Sequence, residues 1–200
     1  MSIAQHSNDS MEHGTPAEVV ELARYVGGRI HTDPFSSAYF NTNSVKADTF
    51  YDKDHDGLRS IWSGFCLVNP PGGVTKTDPV TKKRTVIVPS LVRPAWESLV
   101  DRWRRGAIDG ALWVSFTLEY LCQLQDAPAC PTLFPTCIPA TRLRYLYRPQ
   151  GGGPPKPGTS PPHASALTIL PSRRDPHLAR AQLARFVERG ANLGAVVRPL

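Results

Sequence analysis

The chain has no apolar run approaching the roughly 18 residues that a membrane-spanning helix needs, and its start, Met1 to His13, is polar with no signal-peptide core. A soluble, intracellular protein is therefore the expectation. Cysteine is scarce: Cys66, Cys122, Cys130 and Cys137 stand at spacings that match neither a C-x-x-C metal knuckle nor a dense disulfide framework. Reduced, mostly buried thiols are expected, and no metal. There is no internal repeat. What the chain does have is 20 prolines and 15 glycines among 200 residues, which promise many loops within one domain of ordinary size.

The net charge of +6 is unevenly placed. From Arg142 onwards, ten cations face only Asp175 and Glu188, so the basic character lies in the C-terminal part and the rest is near neutral or slightly acidic. That balance is compatible with a nucleic-acid partner. Residues 1–14 read as a disordered tail and 15–200 as one domain.

Thr15 is placed to cap a helix with Pro16 at its first position. Val19, Val20, Leu22, Ala23 and Val26 form its apolar face, and Gly27-Gly28 its stop. A strand over Arg29 to Thr32 then leads into the turn Asp33-Pro34-Phe35-Ser36-Ser37, and a second strand, Phe65 to Val68, delivers Asn69. Lys76 to Val88 reads as a hairpin with the basic tip Lys82-Lys83-Arg84, within a loop region near 74–89. Ser90 to Arg105 is helical by the spacing of Trp96, Leu99, Val100 and Trp103, an apolar stripe for the core. Further strands are expected at Ala111 to Leu118, Arg142 to Tyr147 and Ala164 to Leu170, a Pro/Gly loop near 149–162, and a last helix over His177 to Glu188. Strands alternating with helices argue for an α/β layer structure with a mostly parallel sheet and helices on both faces. Ligands of such sheets sit at the carboxyl ends of strands, which is where Asp33-Pro34 and Asn69-Pro70 fall.

Asn69-Pro70-Pro71-Gly72 has a chemistry of its own. The prolines lack backbone donors and have φ near −65°, so the turn is stiff and its carbonyls stay free to accept. The Asn69 side-chain oxygen and the Pro70 carbonyl can then converge on the two hydrogens of one amine. Asp52-x-Asp54-x-Asp56-Gly57 imitates the start of a calcium loop, but its twelfth position is Ser63 and no helix pair flanks it, so a solvated loop is the better reading. Arg142 and Arg144 alternate with Leu143 and Tyr145 as on a half-exposed strand. His163 lies at a strand start near the same edge, where a local turn contact is favoured.

Thr15-Pro16-Ala17-Glu18-Val19-Val20-Glu21-Leu22-Ala23-Arg24, His31-Thr32-Asp33-Pro34-Phe35-Ser36-Ser37, Lys46-Ala47, Asp56-Gly57-Leu58, Trp62-Ser63-Gly64 and Asn69-Pro70-Pro71 together resemble, in order and spacing, the phage-type DNA N6-adenine methyltransferases. The likeness is dense from Thr15 to Gly73 and thin afterwards. It implies a Rossmann-like methyltransferase fold, S-adenosylmethionine as cofactor, adenine N6 in DNA as acceptor, and a bacterial or phage-infected cytoplasm as location. By the same likeness Asn69, Pro70, Pro71 and Gly72 form the catalytic turn. Thr15, Pro16, Asp33, Pro34, Phe35, Ser36 and Asp56 touch the cofactor, and Lys82, Lys83, Arg84, Arg142 and Arg144 are the candidate DNA contacts. The family's second proline is usually followed by an aromatic ring that stacks on the base; Gly72 stands there, and Phe116, Trp113, Tyr39 and Phe35 are the candidates to replace it. A methyltransferase-like protein that binds DNA or a partner without turnover, or one that methylates a different amine or a modified base, is the other reading open at this point.

Overall fold

A computed structural model describes residues 13–127, 129–159 and 163–199. In chain order the elements are β1 (His13–Gly14), α1 (Ala17–Gly27), β2 (Thr32–Asp33), α2 (Ala38–Phe40) running into a π-helical turn (Asn41–Val45), β3 (Thr49–Phe50), β4 (Phe65–Val68), β5 (Val74–Thr77) and β6 (Arg84–Val88). Then come α3 (Val92–Arg104), β7 (Gly110–Ser115), α4 (Glu119–Gln123), a 3-10 turn (Pro131–Leu133), β8 (Thr136–Pro139), β9 (Leu146–Tyr147), β10 (Lys156–Pro157), β11 (Ala166–Leu170), α5 (Pro176–Gly190) and β12 (Gly194–Val197).

Local patterns explain most of these boundaries. The apolar face of α1 is buried as its spacing requires, and the helix ends where Gly28 adopts φ 76°, which costs glycine little. Gly27 is needed for contact: a Cβ there would lie 2.3 Å from the Phe65 ring, so α1 comes down directly on β4. Pro94 sits in the first turn of α3, where a missing N–H costs no intrahelical bond. Trp96 is fully buried, donates to the Ala129 carbonyl at 2.6 Å and meets Trp113 edge-to-face at 5.1 Å. The stripe is core packing, as its spacing implies. Cys66, Cys130 and Cys137 are buried, Cys122 is exposed, and all four are free thiols.

Seven strands form the main sheet in the order β12-β8-β11-β7-β4-β2-β3. β2 pairs parallel with β3 and β4, and β4 parallel with β7, with Val68 opposite Trp113. On the other side β11 runs antiparallel to both β7 and β8, and β12 antiparallel to β8. One face is covered by the apolar sides of α1 and α5, the other by α3. Two further sheets, β1-β9-β10 and β5-β6, are antiparallel.

The expectation of a mostly parallel, Rossmann-like sheet is thereby overturned: among the described residues half of the main sheet's pairings are antiparallel, and so is every pairing outside it. A parallel neighbour needs a crossover, usually a helix, whereas an antiparallel one does not. Between β7 and β11 the only α-helix among the described residues is the five-residue α4, and β11 returns beside β7. The strands β8 and β12, flanked by prolines and glycines, carry no period-two signal. The expected strand over Arg142 to Tyr147 shrinks to Leu146–Tyr147 and leaves the main sheet. Its buried residues, Leu143 and Leu146, stand three apart rather than two. His13 and Gly14 pair with β9 as β1; the remainder of the expected N-terminal tail lies outside the described residues.

One polar side chain ties α5 beneath the sheet. Gln182, 1% exposed, accepts from the Ser172 amide at 2.7 Å and donates to the Asp109 carbonyl at 2.9 Å. Gln182→Leu leaves the buried Ser172 amide unpaired and takes a donor from the Asp109 carbonyl, so urea unfolding is expected to show a loss of about 2 kcal/mol. An unchanged midpoint would show that neither bond contributes.

Candidate functional site

Three neighbouring strands, β2, β4 and β7, run parallel and end at one edge of the sheet. Asp33-Pro34, Asn69-Pro70 and Phe116-Thr117 leave that edge side by side. The residue preceding α1 completes the group: the Asn69 amide nitrogen donates to the Thr15 hydroxyl at 3.0 Å. Thr15 is 4% exposed and is not the N-cap expected of it. Pro16 takes that place, its carbonyl accepting from the Val19 and Val20 amides, and the Thr15 side chain turns to Asn69 instead. With its nitrogen committed to Thr15, the Asn69 carboxamide keeps its oxygen as the acceptor. Pro70 is buried, while the Pro71 carbonyl accepts from the Leu91 amide at 3.1 Å and so holds the start of α3. The acceptors that can converge on an amine are narrowed to Asn69 Oδ1 and the Pro70 carbonyl.

One strand away, Asp33 is 2% exposed and its Oδ1 accepts from the Phe35 amide at 3.1 Å. Burial raises its carboxyl to about 7 against an ordinary 3.8, with the Phe35 amide and the Ser36 hydroxyl acting in the opposite sense. Charging this group without a cation beside it is costly. The turn is tied down by the Ser36 amide donating to the Tyr51 carbonyl and the Tyr51 amide donating to the Asp33 carbonyl.

The Asp56-Gly57 loop closes on the same turn. A Cβ at Gly57 would fall 2.0 Å from the Pro34 carbonyl oxygen, so this approach is open to glycine alone, and Trp62 fastens it by donating to the Gly57 carbonyl at 2.7 Å. Asp56 caps its own turn: Oδ1 accepts from the Leu58 and Arg59 amides at 3.0 and 3.3 Å, and Oδ2 lies 3.5 Å from the Arg59 guanidinium. Asp52 likewise accepts from the Asp54 amide and from His55, which explains the acidic run without a metal.

The four aromatic candidates separate cleanly. Trp113 is fully buried, its indole nitrogen bonded to Ser115. Tyr39 is covered by the Arg148 guanidinium at 4.8 Å, and its hydroxyl donates to the Gly153 carbonyl. Phe35 stands edge-on to Trp62 at 6.2 Å. Phe116 is only partly buried, and its ring reaches Gly72: a Cβ at that glycine would lie 2.4 Å from Cζ and 3.0 Å from Cε1.

Lys82, Lys83 and Arg84 stand on the exposed β5-β6 ribbon, away from any core. Lys82 adopts φ 59° at the turn and donates to the Pro79 carbonyl; Arg84 donates to Thr75. Val86, Ile87 and Val88 on the same ribbon are also exposed. Arg142 and Arg144 are exposed before β9, and Arg144 lines a groove of about 420 Å³ with Ala17, Glu18 and Leu146, beside the start of α1. His163 is exposed. Sequence reasoning missed Tyr145 and Ser165. Burial pushes the Tyr145 phenol up, with the Ser165 hydroxyl acting in the opposite sense.

Compared with family models, with curated proteins and with solved structures, the chain finds no match. Among the described residues no helix is long and apolar enough to cross a membrane.

Proposed function

We propose that the protein transfers a methyl group from S-adenosylmethionine to the exocyclic N6 amine of adenine in DNA. The observation that carries this reading is the Asn69 carboxamide, whose nitrogen is taken by Thr15 so that its oxygen is left to accept, at the end of the strand that adjoins the one delivering Asp33. An aromatic amine has its lone pair delocalised into the ring. Two acceptors on its hydrogens help it pyramidalise and turn that pair outwards, and they strengthen as positive charge develops on nitrogen, so the help is greatest in the transition state. Holding the amine in line for attack supplies much of the rest.

The residues fit the cofactor the reaction requires. Its electrophilic methyl is carried on a cationic sulfonium, and Asp33 is a buried carboxyl with no cationic partner among the described residues. Thr15, Pro16, Pro34, Phe35 and Ser36 would hold the molecule around Asp33, with Asp56 at the rim. Asp33 would then serve as the counter-charge. DNA would meet the basic ribbon and the Arg142-Arg144 segment.

The test is incorporation of labelled methyl into unmodified DNA, followed by mass analysis of its nucleosides. N6-methyladenine is the expected product, and no incorporation overturns the proposal. Replacing Lys82, Lys83 and Arg84 together by alanine is expected to flatten the salt dependence of DNA binding by roughly one unit of slope for each phosphate no longer neutralised. An unchanged slope in anisotropy titrations would place DNA elsewhere on the surface.

A further inference from the structure

Resting on that reading, we propose that Phe116 is the platform on which the target base stacks, standing in space for the side chain that Gly72 does not have. An acceptor pair grips only the edge of a flat ring, along the two hydrogens of its amine. Something must cover the face of the ring, or it is free to tilt out of line. Phe116 is the first residue after β7, the strand adjoining β4, so its ring emerges one strand over from Asn69-Pro70. It crosses the gap to Gly72, where three of its atoms fall within 3.4 Å of the place a Cβ would occupy. Residue 72 and the Phe116 ring therefore exclude each other: the glycine is the condition for the ring's position.

Two other features suit the role. Tyr120 meets the ring edge-to-face with centroids 4.8 Å apart, which fixes its plane, and partial exposure leaves part of it to meet a ligand. The other three aromatic candidates, Trp113, Tyr39 and Phe35, are committed to the core, to Arg148 and to Trp62. The ligand class is a planar heteroaromatic ring with an exocyclic amine, delivered on a nucleic-acid strand. A duplex substrate would have to release that base from its stack, and the new face contact helps to offset the unstacking.

The test uses the full chain and two readouts. In steady-state methyl transfer to unmodified DNA, Phe116→Leu is expected to raise KM about tenfold with a smaller change in kcat, while Phe116→Tyr keeps wild-type values. In anisotropy titrations with single-stranded oligo(dA), which need no turnover, Phe116→Leu is expected to weaken binding about tenfold. The exchange Gly72→Phe with Phe116→Gly returns a ring to the same space and is expected to recover at least half of the affinity that Phe116→Leu removes; Gly72→Phe alone is expected to be worse than either. Wild-type methyl transfer with an unchanged KM in Phe116→Leu overturns this proposal and leaves the reaction standing. Absence of wild-type methyl transfer overturns the reaction, and oligo(dA) then decides: a tenfold weakening in Phe116→Leu upholds the platform, and equal binding overturns it.

Discussion

Asn69→Ala is expected to lower methyl transfer to DNA by two to three orders of magnitude, with little change in DNA affinity. The size follows from comparable sites, where removing one preorganised partner of a developing charge costs about 10²–10³ in rate. The interaction is weak while the amine is neutral and planar, and strong once nitrogen carries positive charge, so kcat should fall rather than KM rise. Thr15→Val gives a graded companion. It removes the acceptor that holds the Asn69 amide nitrogen at 3.0 Å, leaving the amide free to present either its oxygen or its nitrogen to the substrate. A loss of about tenfold is expected, smaller than for Asn69→Ala because the oxygen is still present part of the time. Asn69→Ala should melt near wild type, since Asn69 is only partly buried and lies after β4 rather than within it. Full activity in Asn69→Ala would remove the amine-gripping role from this turn.

The second large effect concerns Asp33 and pH. The folded chain holds the Asp33 proton up to about 7, whereas the unfolded chain releases it near 3.8. Between those values the native state binds more protons, so stability falls as pH rises. The contribution is fully present below about pH 4 and is lost by about pH 7, a change of roughly 4 kcal/mol across the window. Asp33→Asn keeps an oxygen to accept from Phe35 and has no charge to bury. Urea midpoints should therefore be higher for Asp33→Asn than for wild type at pH 7.5, with the difference shrinking towards pH 4. Equal slopes for the two proteins between pH 4 and 7 would show that Asp33 does not titrate as its burial implies.

The same group is expected to link pH to cofactor affinity. A cationic sulfonium beside the carboxyl favours its ionised form, so binding near pH 6.5 should release a proton, seen as a dependence of the calorimetric heat on the buffer. Asp33→Asn should abolish that dependence and weaken S-adenosylmethionine binding while making the protein more stable. Stability and function then pull apart at one residue, as is common where a site holds a buried charge for its ligand.

Much of the local structure was legible in the chain. The apolar face of α1, the strand Phe65–Val68, the α3 stripe with its stop near Gly106, and the last helix behind Pro176 follow from periodicity and end signals, which depend on residues a few positions apart. The order of motifs also picked out Asn69 and Asp33 as residues leaving the sheet. The sequence did not determine which strands would be neighbours or in which direction they would run. A run such as Ala166–Leu170 is buried on both faces whether it pairs parallel or antiparallel, so its residues are the same in either case. Its place antiparallel to β7 was decided by the packing of the whole sheet.

The site divides in the same way. Sequence alone determined the residue types: a stiff proline turn rich in acceptors, an acid at a strand end, and a glycine where an aromatic ring was expected. Only the tertiary structure decided their partners, because each decisive contact spans a long stretch of chain. Thr15 meets Asn69 across 54 positions, Phe116 reaches Gly72 from the neighbouring strand, and the Asp33 turn is held by Tyr51, with burial raising the Asp33 pKa. Such contacts form only when the free energy of the packed core outweighs the entropy of closing the loops between them, and no local pattern records that balance.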